Sequence, residues 1–319
     1  MRATKRPVGS SWREAILLSE GCGLETKSRF LAPKTLHILI EIKNCYELRF
    51  YLCIFVAQFK PMSEKKPLIL VTNDDGITAP GIRHLISIMK TIGEVIVVAP
   101  DRPQSGMGHA ITVNDNLYCD EVHLDDQVRE YSCSGTPADC VKIATQEIMK
   151  RQPDICVSGI NHGSNSSINV IYSGTMSAAV EAGTSDIPAV GFSLLDYSMN
   201  ADFSHTTEYI KYIVNMVLNN GLPSGTVLNV NFPAVEKEKI KGLRLCRQAK
   251  ANWVENFDKR QTPHGRDYYW LTGEFVNQDG GKDTDEWALE NNYISVVPVQ
   301  FDLTAYHALK EFKNWNFEH

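Results

Sequence analysis

Four consecutive large aliphatic residues, Leu68-Ile69-Leu70-Val71, closed almost at once by Asn73-Asp74-Asp75-Gly76, constrain this chain more than any other feature. A strand with one wet face alternates apolar and polar side chains. An unbroken apolar run this short implies a strand covered on both faces, as in a parallel sheet between two helix layers. Further strands are predicted at 94–99, where Pro100 ends the run, and at 154–157, 189–192 and 227–231. Helical periods fall between the runs. One helix is predicted over 80–90, with Pro80 in its first turn and Ile82, Leu85, Ile86 and Met89 on one face. Others are predicted over 175–183 and over 206–219, the latter closed by Gly221. Strands alternating with helices imply an α/β fold with a doubly wound, mostly parallel sheet and right-handed crossovers. Residues 247–285 read differently. Tyr268, Tyr269, Trp270 and Phe275 around Thr272-Gly273 predict a C-terminal β-hairpin arm, open to exchange between subunits. A strand over 293–299 and a helix over 304–315 end the chain.

Composition excludes several classes. The net charge of -6 over 319 residues leaves no basic footprint, so binding to polymeric nucleic acid is not expected. The eight cysteines show no CxxC and no Cys/His ligand spacing, which suits thiols in a reducing cytoplasm. The apolar run at 50–59 is about half of the roughly 20 residues needed to span a bilayer. A cytoplasmic protein without membrane attachment is expected. The first 61 residues stand apart, with ten Lys/Arg against five Asp/Glu, whereas the remainder holds 22 against 33. They show no sustained period. Translation is expected to begin at Met62, leaving 1–61 as an upstream extension. A mobile tail or a small docking helix is the alternative. The functional domain is expected over 66–319.

Four polar clusters fall where strands end, and ligands of open parallel sheets bind outside the carboxyl ends of the strands. Adjacent Asp74 and Asp75 repel each other and gain by sharing a hard cation through oxygen ligands. A turn with Asp75 capping the next helix is the plainer reading. In Asp101-Arg102-Pro103-Gln104-Ser105-Gly106-Met107-Gly108-His109, Ser105 offers a hydroxyl to a metal. His109 offers a general acid or a substrate contact, or is simply a hydrogen-bonded structural histidine. In Ser158-Gly159-Ile160-Asn161-His162-Gly163-Ser164-Asn165, the two asparagines can face a metal or a phosphate, though they also form turns. Tyr172-Ser173-Gly174-Thr175 opens a helix whose N-terminus can cradle phosphate or carry an ordinary N-cap. Taken together, the clusters suit metal-assisted phosphoryl transfer.

These residues also carry a resemblance. The segments 70–82, 99–106, 157–165 and 172–179, followed by Asn292-Tyr293-Ile294-Ser295-Val296-Val297-Pro298 and 302–307, are similar in order to the signatures of the SurE family of survival-protein nucleotidases. The resemblance covers about 66–315. It implies a Rossmann-like core, hydrolysis of nucleoside 5′- and 3′-monophosphates, and homodimers or homotetramers joined through C-terminal arms. It also implies one divalent metal per subunit, whether Mg, Mn or Co, held by Asp74, Asp75, Ser105 and Asn161. Asn165, Ser173, Gly174 and Thr175 would receive the phosphate. Activity on short polyphosphate stays open. Residues 164–169 depart from the family's usual Asn-Leu-Gly continuation. A haloacid-dehalogenase-type phosphatase would want Asp-x-Asp spacing, and a dinucleotide-dependent oxidoreductase a Gly-x-Gly-x-x-Gly turn after the first strand. A non-catalytic nucleotide-binding module is the remaining alternative.

Overall fold

The computed structural model describes residues 25–32, 35–43, 49–55, 66–198, 200–315 and 317, the first three spans as backbone alone. The chain divides after Met62 into two units. In the first, β1 (Glu25–Ala32), β2 (Thr35–Lys43) and β3 (Arg49–Phe55) form an antiparallel sheet in that order. No regular element is expected there from periodicity. The Ile, Phe, Thr and Tyr content of these stretches nevertheless favours strands. Met62, the expected start, lies outside the described residues, as do residues 56–59 of the 50–59 run.

The second unit is built on β4 (Leu68–Thr72), β5 (Glu94–Pro100), β6 (Cys119–Val122), β7 (Arg129–Cys133), β8 (Ile155–His162), β9 (Ala189–Leu194), β10 (Thr226–Phe232) and β11 (Leu243–Leu245). After the arm strands β12 (Ala251–Gln261) and β13 (Asp267–Asn277), β14 (Ile294–Gln300) completes the sheet. The order is β11-β14-β10-β9-β8-β4-β5-β7-β6. The strands from β10 to β7 run parallel, while β14 and β6 are antiparallel to β10 and β7. The helices are α1 (Pro80–Met89), α2 (Pro137–Ile143), α3 (Gly174–Thr184), α4 (Thr207–Asn220), α5 (Asp285–Glu290) and α6 (Tyr306–Phe312). No helix of the described residues is long and apolar enough to cross a membrane.

The continuous apolar runs do what their pattern implies. On β4, Ile69 and Val71 face one core with Ile82, Leu85, Ile210 and Val214, so α1 and α4 cover that side. Leu68 and Leu70 face the other core with Cys140, Val141, Met176 and Ala179, under α2 and α3. Gly221 closes α4 at φ 71°, in the left-handed region that glycine enters without strain. From β4 the chain crosses to β5 on one side and later to β8 on the other, so a topological switch lies at β4 and β8. β8 runs on to His162, beyond the expected end at 157. Ser158 and Asn161 stay in the ladder with β9 across a register shift, opposite Gly191 and Ser193.

Candidate active site

Asp74 follows β4 at the switch and is 4% exposed. Its Oδ1 accepts a hydrogen bond from the Thr175 hydroxyl, and its backbone carbonyl accepts the Gln104 N–H at 2.8 Å. α3 points its first residue at the same carboxylate. A Cβ added to Gly174 would stand 2.6 Å from Asp74 Cβ, so only glycine allows this approach. Asp75 is half-buried, and its Oδ2 accepts the His162 N–H at 3.2 Å. Burial first, and then the neighbouring Asp75 charge, push the Asp74 carboxyl up to about 6. Burial also raises Asp75, against the opposing His162 N–H. No lysine or arginine is among the groups that perturb either carboxyl.

Such a pair fits a hard divalent cation, which would relieve both the burial and the repulsion. Among the described residues no group of three or more His, Cys, Asp and Glu side chains is placed to hold a metal ion. The further protein ligands would therefore be neutral oxygens. Asn161 is suited to this: its Nδ2 donates to the Gly163 carbonyl at 2.9 Å, which leaves Oδ1 available to a cation. Ser105 lies on an exposed loop, next to the Gln104 that bonds the Asp74 carbonyl.

The remaining expected site residues fall into two groups. Ser173 is the N-cap of α3, its Oγ accepting the Met176 N–H at 3.0 Å, and Gly174 and Thr175 form the first turn beside Asp74. Asn165 and His109 are committed to protein partners. Asn165 is buried. Its N–H donates to Asn231 Oδ1 (2.8 Å), its Nδ2 to Ser193 Oγ (2.8 Å), and its carbonyl accepts from Asn229 Nδ2 (2.7 Å). His109 Nε2 lies 2.9 Å from Glu181 Oε2, and Lys142 Nζ lies 2.6 Å from the other oxygen of Glu181. Burial opposes the Glu181 charge, but these two partners hold its carboxyl below the usual range.

The family model described as Survival protein SurE matches residues 69–255. The chain belongs to the SurE family. It is 69% identical over 257 residues to a protein of Christiangramia forsetii named 5′-nucleotidase SurE, covering 80% of this chain and 99% of that one. A Flavobacterium johnsoniae protein of the same name is 67% identical, covering 80% and 98%. The crystal structure of the SurE protein from Aquifex aeolicus is 39% identical with a TM-score of 0.69, covering 78% of this chain and all of that one. The Rossmann-like, mostly parallel α/β core is thus the SurE fold.

In this SurE chain one supporting residue is invisible to motif reading. Asp285, buried at the start of α5, accepts the Ser167 N–H at 2.8 Å through Oδ2 and the Ala249 N–H at 2.8 Å through Oδ1. It ties the loop after β8 to the base of the arm, from 118 residues away. A second support, Asn229 with Asn231, shows in sequence only as two asparagines spaced two apart in an otherwise apolar strand. Gly174→Ala tests the closest contact. The added methyl must displace Asp74 or α3, and a displacement of about 1 Å in a catalytic array lowers turnover about a hundredfold. Circular dichroism should show the fold retained. A folded variant with full turnover would show that the approach of α3 to Asp74 is not required.

Proposed function

We propose that this chain is a metal-dependent phosphomonoesterase that hydrolyses nucleoside 5′- and 3′-monophosphates to nucleoside and phosphate. The observation that carries this reading is the buried carboxylate pair set against the N-terminus of α3 at the switch point. The relatives named 5′-nucleotidase SurE support it. Asp74, Asp75, Asn161 and Ser105 would hold one divalent cation, which when bound would supply charge neutralisation at the phosphate and a more acidic water. Ser173, Gly174 and Thr175 offer hydroxyls and first-turn N–H groups, which stabilise the equatorial phosphate oxygens as negative charge builds there. Asp75, the less buried of the pair, orients the attacking water and accepts its proton. The P–O ester bond breaks in line with that attack, the departing nucleoside oxygen takes a proton from solvent water, and Asp75 releases its proton to solvent.

Phosphate release from a panel of nucleoside 5′- and 3′-monophosphates and short polyphosphate, measured after chelation and again with Mg²⁺, Mn²⁺ or Co²⁺ restored, tests this reading. Release should vanish on chelation and return with one of the metals. AMP binding without phosphate release under every condition would leave a non-catalytic nucleotide-binding module instead. Residues 1–61 are proposed to take no part. A chain starting at Met62 should show kcat/KM for AMP and a melting temperature equal to those of the full chain. Aggregation or loss of activity in that truncation would make the extension structural.

A further inference from the structure

Three thiols that the proposed reaction does not use come together at one edge of the sheet. β6 is the edge strand, and Cys119 stands directly opposite Cys133 of β7 in the antiparallel ladder. The Ser134 N–H donates to the Tyr118 carbonyl at 2.9 Å, so residues 118 and 134 are a hydrogen-bonded pair. Hydrogen-bonded and non-hydrogen-bonded pairs alternate along such a ladder, which makes Cys119 and Cys133 a non-hydrogen-bonded pair. In pairs of that kind the Cα atoms stand about 4.5 Å apart and the side chains approach most closely. A disulfide bridges Cα atoms about 4.4–6.8 Å apart without moving the backbone. Both thiols also lie on the same face. Cys133 is buried with Cys140 of α2 in the core under α2 and α3, and the half-buried Cys119 packs against that cluster. The Cys119 and Cys133 thiols share a hydrogen bond, and Cys133 shares another with Cys140.

We propose that Cys119 and Cys133 form a thiol–disulfide exchange site that takes a low-molecular-weight disulfide of the glutathione class. The Cys119 sulfur, the more exposed of the two, loses its proton and attacks one sulfur of the small disulfide. That S–S bond breaks, one small thiolate leaves, and a mixed disulfide remains on Cys119. The Cys133 sulfur then gives up its proton and attacks the Cys119 sulfur, which releases the second small thiolate. The two protons end on the two departing thiols, so two protein thiols are oxidised to one disulfide while one small disulfide is reduced. The hydrogen bond to Cys133, and then burial, raise the Cys119 thiol. Against the opposing bond from Cys119, the contact with Cys140 and burial raise Cys133 as well. Thiolate is therefore scarce and exchange is slow at neutral pH, but the second step joins sulfurs already in contact. A bond with one half-exposed sulfur stays open to reduction, so the modification is reversible. While closed, it ties the edge strand to β7, whose Cys133 carbonyl accepts the Asp101 N–H at 2.7 Å at the head of the Ser105 segment.

The full chain, incubated with glutathione disulfide at mildly alkaline pH, quenched in acid, alkylated in denaturant and digested with trypsin, is read by mass spectrometry. Arg129 lies between the two cysteines, so trypsin separates them unless a bond joins them. The wild type should yield a linked peptide pair whose fragments place the bond between Cys119 and Cys133. The alkylated forms of both residues should be lost together and return after dithiothreitol. Cys119→Ser replaces a half-buried side chain by one of similar size, and it should abolish the link while Cys133 stays alkylated in full. The wild-type digest decides the matter even if that variant folds poorly. A wild type without the linked pair, a glutathione adduct that stays on Cys119 unresolved, or a bond from Cys133 to Cys140 instead, overturns the site.

Discussion

Asp74→Asn and Asp75→Asn are each expected to lower kcat by about a thousandfold or more, with the fold intact. The amide keeps the shape of the carboxylate and can still accept the Thr175 hydroxyl or the His162 N–H. What it loses is the charge that holds a divalent cation. The same substitution should leave metal-free stability unchanged or raised. A carboxyl whose folded pKa lies above its unfolded value binds its proton more tightly when folded. Its stabilising contribution is therefore present at acidic pH and fades as pH rises through the folded value. For Asp74 the window runs from the ordinary carboxylate range up to about 6. Chelated wild-type protein should thus lose stability across that window, and the Asp74→Asn variant should lose less. Turnover with restored metal, alongside melting temperature against pH under chelation, reads both effects. Near-wild-type turnover in either variant would remove that residue from the metal site.

The parts of the fold legible in the sequence are those whose cause is local. The runs at 68–71 and 95–99 are buried throughout, as short apolar runs in a parallel sheet covered on both faces should be. Helix α1 begins at Pro80 and buries Ile82, Leu85, Ile86 and Met89, the predicted face. What stays hidden depends on a distant partner. β7 reads Arg129-Glu130-Tyr131-Ser132-Cys133, too polar for an inner strand, yet Glu130 is fully buried because Arg83 pairs with it and the Leu124 N–H donates to it at 3.1 Å. Nothing near residue 130 announces that arginine. α2 is hidden for a similar reason: its capping box from Thr136 to Asp139 is visible only once β7 is known to end there.

The site divides along the same line. Asp74, Asp75 and the Ser173–Thr175 turn are legible because a strand end and a helix start are local events. That they meet is a property of β4 and β8 lying side by side. Asn165 and His109 show the limit. Each belongs to a polar cluster at a strand end, and each is bonded to distant residues: Asn165 to Ser193, Asn229 and Asn231, and His109 to Glu181, 72 positions away. Their sequence surroundings carry no sign of those partners.

Shortening the arm between Asn252 and Asp283 is expected to convert a homodimer or homotetramer into monomers. β12 and β13 pair over their whole length, from Ala251 opposite Asn277 to Gln261 opposite Asp267. Two strands alone are marginal in water. Within one chain the pair leaves Trp253 41%, Phe257 62% and Trp270 59% exposed, with Tyr269 and Leu271 exposed beside them. The contacts it makes with itself, Trp253 against Phe275 and Phe257 against Tyr269, cover only part of those rings. Large aromatic residues on both faces of an extended hairpin gain most by seating on a second copy of the chain, where such rings are enriched. The base of the arm also reaches the loop after β8. Trp253 Nε1 donates to Asn169 Oδ1 at 2.8 Å, and the Ser167 hydroxyl to the Ala249 and Ala251 carbonyls at 2.9 and 3.0 Å. Activity should therefore fall along with assembly, because the loop after β8 loses its support. Multi-angle light scattering on both proteins decides the matter. A full-length chain that runs as a monomer at micromolar concentration would show that the arm's aromatic rings serve something other than self-association.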